Sequence, residues 1–283
     1  MRKLVLIVCS VVMIFAGVIA ISNAQTEGRK TTIQVKGADS MANRISVLSR
    51  LFMHANTEID VIVEKGGTVD SGMSALIEKN GDVVMASRRI TSKEDKAASK
   101  KGIELVERLV GYGGIVIITH PSNPVNDLTL DQVREIFVGH IRNWKEVGGT
   151  DRYIHLARTG DQHPGTIAFL RDEVLDGSKL AGRAEVLPSF PAVMKKVATT
   201  PSGIGFVRIR DAFESSVSGE AVVKPLKIRQ TSAMAPVMPS RATVGNGTYP
   251  LKRPYYLYYN ATANNDVAKF VDFIVEKGWG SEG

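Results

Sequence analysis

The sequence predicts an α/β protein of two lobes whose sheets are mainly parallel. Three observations carry that reading. Short β-prone runs alternate with amphipathic helical stretches along most of the chain, the pattern of layered α/β folds. The long apolar run at residues 105–119 is broken by Gly111, Gly113 and Gly114, which suits a strand passing from one lobe to the other. A second passage is expected near residues 245–255, ahead of an aromatic strand and a closing helix. The expected division is residues 30–113 with 250–283 in lobe I, and 114–249 in lobe II.

The first 24 residues stand outside that fold. Arg2 and Lys3 form a short positive region and residues 4–21 are apolar. Ser22-Asn23-Ala24 then offers small residues where a signal peptidase cuts, so an exported, periplasmic protein is expected, an uncleaved anchor being the alternative. Cys9 is the only cysteine, and bulky Val8 stands where lipid attachment needs a small residue, so lipidation is not expected. Cleavage leaves no cysteine, which excludes disulfides, thiolate metal sites and cysteine nucleophiles from the exported chain. What remains, about 259 residues, fills one large or two smaller domains. Losing Arg2 and Lys3 from 36 basic residues, against 29 acidic, lowers the net charge from +7 to +5. That mild excess favours anionic partners. The basic residues are dispersed, without a stripe of interleaved aromatics, so nucleic acid is not an expected partner.

Taken in order, residues 31–36 alternate as a strand, and Ser40 is expected to cap a helix whose face is Ile45, Leu48, Leu51 and Phe52. Residues 59–63 form a second strand, Gly66-Gly67 a loop, and residues 73–77 the start of a helix. Residues 83–86 read as a short buried strand, and the charge run at 93–101 as a solvated helix. Thr129 with Gln132 fits a capping box; Val133, Ile136 and Phe137 follow at helical spacing and Gly139 ends the turn. Trp144 sits in a second apolar patch closed by Gly148-Gly149. Strands are expected again at 154–157, 204–207 and 255–259, and a closing helix at 264–277 ended by Gly278.

Catalytic patterns are missing. Histidines 54, 120, 140, 155 and 163 have no metal-ligand spacing, and no phosphate-binding P-loop or nucleophile elbow occurs. No metal, no cofactor and no enzyme activity are expected. What recurs is glycine and hydroxyl residues at helix starts, where free N–H groups and the helix dipole favour anions. Four such places are residues 37–40, 68–72, 87–89 and 158–166, the last two bringing Arg88 and Arg158, whose forks match an oxyanion.

These segments carry a family likeness. Residues 128–149, LTLDQVREIFVGHIRNWKEVGG, resemble the LT-x-x-Q-(x)-IF-x-G-x-I-x-NW-x-E-VGG signature of phosphate-binding proteins of ABC importers. Residues 36–41 match that family's G-x-D-[ST]-M turn and residues 82–88 its D-I-x-x-ASR strand end. Residues 201–206 resemble its P-G-x-IG-Y element and residues 249–254 its YP-x-x-RP return. The resemblance implies a two-lobed periplasmic binding protein of type II with the ligand between lobes. It implies that Ser40, the Met41 N–H, Ser87 and Arg88 line one wall, and Arg158, Gly165 and Thr166 the other.

Two loops depart from the family pattern. Val69 falls where a serine donor belongs, with Ser71 as the nearest substitute. In RTGDQHPGT, Pro164 replaces a serine and two extra residues separate Arg158 from Gly165. Each lost hydrogen bond to a charged ligand removes roughly 1.5–3 kcal/mol, which His163, Ser71 or water would have to restore. A carboxylate accepting phosphate's proton would discriminate against sulfate, with Asp161 the best-placed candidate, then Asp39 and Asp70. The expected function is an exported, monomeric solute-binding protein that takes inorganic phosphate or a similar anion to an ABC permease. The alternative is a ligand-poor sensor or interaction module signalling to a membrane partner; a phosphate-ester hydrolase ranks last.

Overall fold

The computed structural model describes residues 30–160, 164–218 and 222–279. The expected signal segment therefore lies outside the described residues, as do Asp161 and His163. The chain runs through β1 (Thr31–Gly37), α1 (Asp39–Ala55), β2 (Ile59–Val63), α2 (Val69–Ile77), β3 (Val83–Ala86) and α3 (Ser92–Lys100) into the long strand β4 (Leu105–Thr119). Next come β5 (Asp127–Thr129), α4 (Leu130–Val138), a 3-10 turn at Trp144–Val147 and β6 (His155–Thr159). There follow α5 (Pro164–Phe169), a π-helical turn at Leu170–Val174, β7 (Glu185–Leu187), α6 (Phe190–Thr199), β8 (Gly203–Arg208) and α7 (Ile209–Ser218). The chain closes through β9 (Lys224–Pro225), β10 (Lys227–Arg229), α8 (Arg241–Gly245), β11 (Lys252–Asn260) and α9 (Asn265–Lys277).

The main sheet has the order β2-β1-β3-β11-β4-β8-β6-β7, with β9 beside β4. Its two ends are parallel, as expected: β1 pairs with β2 and β3, and β6 with β7 and β8. Its middle is not. β11 runs antiparallel to both β3 and β4, and β4 antiparallel to β8. The sheet is mixed because the chain that crosses on β4 returns on β11, laying two opposed strands side by side.

Two separate cores sit along this sheet. One gathers Ile33 through Val110 with Tyr255 through Trp279, and the other gathers Ile115 through Leu251. Between Val110 and Ile115 lie the three mid-strand glycines. Gly111, at φ +154°, lies under Trp279, and Gly113 lies under the Tyr255 hydroxyl; a Cβ at either would overlap the ring residue. Only glycine lets the crossing strand pass beneath those aromatics.

The helix starting at Leu130 forms as its sequence dictates. Thr129 Oγ1 accepts from the Gln132 N–H at 3.1 Å and Gln132 Oε1 from the Thr129 N–H at 2.9 Å. Val133, Ile136 and Phe137 are buried, and Gly139 stops the helix at φ +93°. Trp144 is buried, and its indole N–H donates to the Ser202 carbonyl at 2.9 Å, tying this turn to the loop before β8. Three local expectations need correction. Ala38, not Ser40, stands at the N-cap of α1, without a side-chain cap. Leu51 is 54% exposed, because the buried face of α1 is Met41, Ala42, Ile45, Leu48 and Phe52. Helix α2 begins at Val69, four residues before Met73, because Thr68 and Ser71 cap each other.

Candidate functional site

The first wall is built by the loops after β1 and β2 and by the end of β3. Glycines hold these loops together. A Cβ on Gly67 would stand 2.6 Å from the Gly37 carbonyl oxygen, and one on Gly72 2.7 Å from the Gly37 Cα. The Asp39 N–H donates to the Gly67 carbonyl at 3.1 Å, and Asp39 Oδ1 accepts from the Gly66 N–H at 2.6 Å. The interlock leaves Ser40 exposed near the start of α1.

Several donors expected at the anion are already in use. The Met41 N–H donates to the Ala38 carbonyl at 2.9 Å. Ser71 Oγ donates to the Thr68 carbonyl and accepts from the Thr68 N–H, each at 2.9 Å. Val69, standing where the family has a serine donor, is a core residue packed in the first lobe. Arg88 is held hardest. Its two terminal nitrogens each donate to Glu94 at 2.9 Å, while Nη2 also reaches Asp70 at 2.5 Å and Nη1 the Arg89 carbonyl at 2.9 Å. Those bonds, Glu94 first, raise the Arg88 pKa above its ordinary value. Burial works against the charged form of Glu94, but Arg88 and the Thr91 cap prevail and lower its pKa to about 2. Asp39 and Asp70, the second-choice acceptors for a phosphate proton, are thus bonded to Gly66 and Arg88.

The second wall is less saturated. β6 ends with Arg158 and Thr159. Arg158 Nη1 donates to the Thr159 carbonyl at 3.0 Å, but its Nε is buried without a partner among the described residues. The fully buried Thr159 Oγ1 has none either. Gly165 and buried Thr166 lie in the first turn of α5. Ser87, on the first wall, is buried and faces this region through another residue, Arg253. The Arg253 side chain bonds Ser87, and a Cβ on Gly165 would stand 3.3 Å from its Nη2. In the sequence, Arg253 stands out only as part of the return motif. The usable signal was its place on the strand that re-enters beside Gly113, where a charge is hard to bury.

Comparison with known proteins agrees with this architecture. The model of the PBP superfamily domain matches residues 22–277. The phosphate-binding protein PstS of Staphylococcus saprophyticus is 27% identical over 254 residues, covering 89% of this chain and 77% of that protein. The crystal structure of an ABC-type phosphate transport receptor from Vibrio cholerae superposes with a TM-score of 0.68 at 26% identity, covering 86% of this chain and 93% of that one. PstS from Borrelia burgdorferi superposes at 0.70 with 22% identity, covering 89% and 98%, a likeness of fold alone.

Proposed function

The chain belongs to the PBP superfamily, as a PstS-like phosphate-binding protein, and from that premise we propose that it is exported, closes its lobes on inorganic phosphate or a related tetrahedral oxyanion, and delivers it to an ABC permease. The observation that carries the reading is the orphaned pair on the second wall. A buried arginine Nε and a buried threonine hydroxyl without partners among the described residues call for an acceptor, and an oxyanion between the walls supplies one. Ser40 and Ser87 face it from residues 30–113 with 250–283, and Arg158, Gly165 and Thr166 from residues 114–249, with Asp161 accepting the phosphate proton. Met41, Ser71 and Arg88 shape the first wall instead of donating from it.

Closure is a hinge motion at residues 111–115 and 245–255, driven by contacts that exist only when both walls touch the anion. The protein works as a monomer and performs no chemical step. The signal segment at residues 1–24 is removed without lipidation. Calorimetric titration with phosphate, sulfate, arsenate and molybdate tests the reading. Micromolar or tighter phosphate binding that disappears in Arg158→Ala supports it; no heat with any of the four sinks it.

One observation favours a second reading. Three of the expected donors, the Met41 N–H and Arg88 from the family pattern and Ser71 as the substitute for its serine, are consumed within the first lobe. A chain that kept the fold with a weakened site would serve as a sensor or interaction module at the membrane. Phosphate binding weaker than millimolar, with the fold intact, would favour that role.

A further inference from the structure

Arg253 is assigned no part in the function above, yet it is the strangest charge in the molecule. Its residue is only 8% exposed. Nε donates to the Ser87 carbonyl at 3.3 Å and Nη2 to the Ser87 hydroxyl. Its guanidinium lies 5.6 Å from the Phe169 ring centre and 6.0 Å from that of Tyr255. Arg88, Arg108, Arg171, Arg208 and Arg229 all pair directly with carboxylates, but no carboxylate among the described residues pairs with Arg253. Burial pulls its pKa below the ordinary value, and Glu173 opposes this only through space. A guanidinium nevertheless stays protonated under such pressure.

A structural staple does not account for this. A hydroxyl and a carbonyl can be held by a neutral amide, without the desolvation cost of a buried cation. The surroundings also come from both sides of the molecule. Ser87 follows β3 in the first lobe, whereas Gly165 and Phe169 belong to α5 in the second. The α5 backbone lies close against the guanidinium at Gly165, where a Cβ would stand 3.3 Å from Nη2 and 3.6 Å from Nη1. The cation thus lies against the loop that the proposed function gives to the ligand.

We propose that Arg253 contacts the bound oxyanion directly, supplying with Arg158 the second positive charge of a site suited to doubly charged tetrahedral anions. The inference rests on the proposed function and adds a ligand-contacting residue to it. Because its neighbours come from both lobes, Arg253 also couples anion binding to closure.

The test is calorimetric titration of the full mature chain with inorganic phosphate, for the wild type, Arg253→Gln, Arg253→Lys and Arg158→Gln. Arg253→Gln is expected to weaken binding at least thirtyfold, and Arg253→Lys, which keeps the charge and loses the fork, by less. Nitrogen-15 NMR of the wild type guards against a variant that fails to fold. The Arg253 Nε–H signal, assigned through bonds from its own backbone in the wild type, is expected to shift on titration with the calorimetric Kd. If both Arg253 variants bind within threefold of wild type while Arg158→Gln does not, the residue is only structural and the proposed function stands. An unmoved Nε–H signal at saturating phosphate overturns the proposal equally. Wild-type protein that takes up none of phosphate, sulfate, arsenate and molybdate overturns both.

Discussion

Two arginines meet at Ser87 and have opposite circumstances. Arg88 follows it in the chain, is 34% exposed at its side chain, and is ringed by Glu94 and Asp70. Arg253 arrives from the far end of the chain, is buried, and has no paired carboxylate among the described residues. A cation saturated by fixed carboxylates has little left to offer a mobile anion, since every new bond must displace an existing one. A buried cation without a counter-charge is costly until an anion arrives. The difference teaches that readiness to bind follows from what a charged group still lacks, and only secondarily from its nearness to a motif.

That contrast can be broken at several points. The largest effect is expected at Arg253. Arg253→Met replaces the unpaired charge with an apolar chain of similar length, so the ligand-free protein should be at least as stable as wild type. Phosphate at a hundred times the wild-type Kd should stabilise the wild type by about 2.7 kcal/mol and the variant by about 0.9 kcal/mol or less. Thermal unfolding with and without phosphate reads both. A variant protected by phosphate as fully as the wild type would remove the contrast.

Next is Glu94→Gln, which breaks the fork to Arg88 and weakens the cap at Thr91. A loss of about 2 kcal/mol in urea unfolding is expected, with phosphate affinity within threefold of wild type; a larger loss of affinity would return Arg88 to the site. The same carboxylate gives a pH signature. Its folded pKa of about 2 lies below the ordinary 4.5, so its contribution is complete above the higher value and is lost as pH falls through the lower. The stability gap between wild type and Glu94→Gln should therefore narrow from pH 5 to pH 2, and a constant gap would contradict the assigned ion pair. Smallest is Asp70→Asn. Asp70 is 83% exposed, so its removal should cost about 0.5 kcal/mol or less and vanish in high salt; a salt-independent loss would show that the short Arg88 contact matters more than its exposure suggests.

What the sequence made legible was local. The capping box at Thr129, the glycine stop at Gly139 and the apolar spacing of Val133, Ile136 and Phe137 need only a few neighbouring residues, and each formed as read. The glycines of β4 marked a crossing because side chains are excluded there. Strand direction was not legible, since β11 meets β3 across 170 residues of chain and hydropathy is blind to orientation. The site suffered from the same distance. Ser71 and Met41 carry the right groups, but whether a donor is free depends on partners such as Thr68 and Ala38 in the folded turn. Arg253 stood in a recognised motif, yet only folding reveals that it reaches Ser87 and Gly165.

The division of the cores also sets an order of assembly. Every residue of the core from Ile115 to Leu251 belongs to one unbroken stretch of chain. The core that begins at Ile33 is completed only by Tyr255 through Trp279, which follow the whole of the other core in the chain. Until β11 slides between β3 and β4, the edge of β3 has no partner on that side and Phe52 of α1 lacks its cover from Phe270 and Phe273, leaving both open to aggregation. A chain cut short after Leu251 would therefore keep the younger lobe and forfeit the older one, and residues 252–279 act as the lock on a structure begun at the first strand.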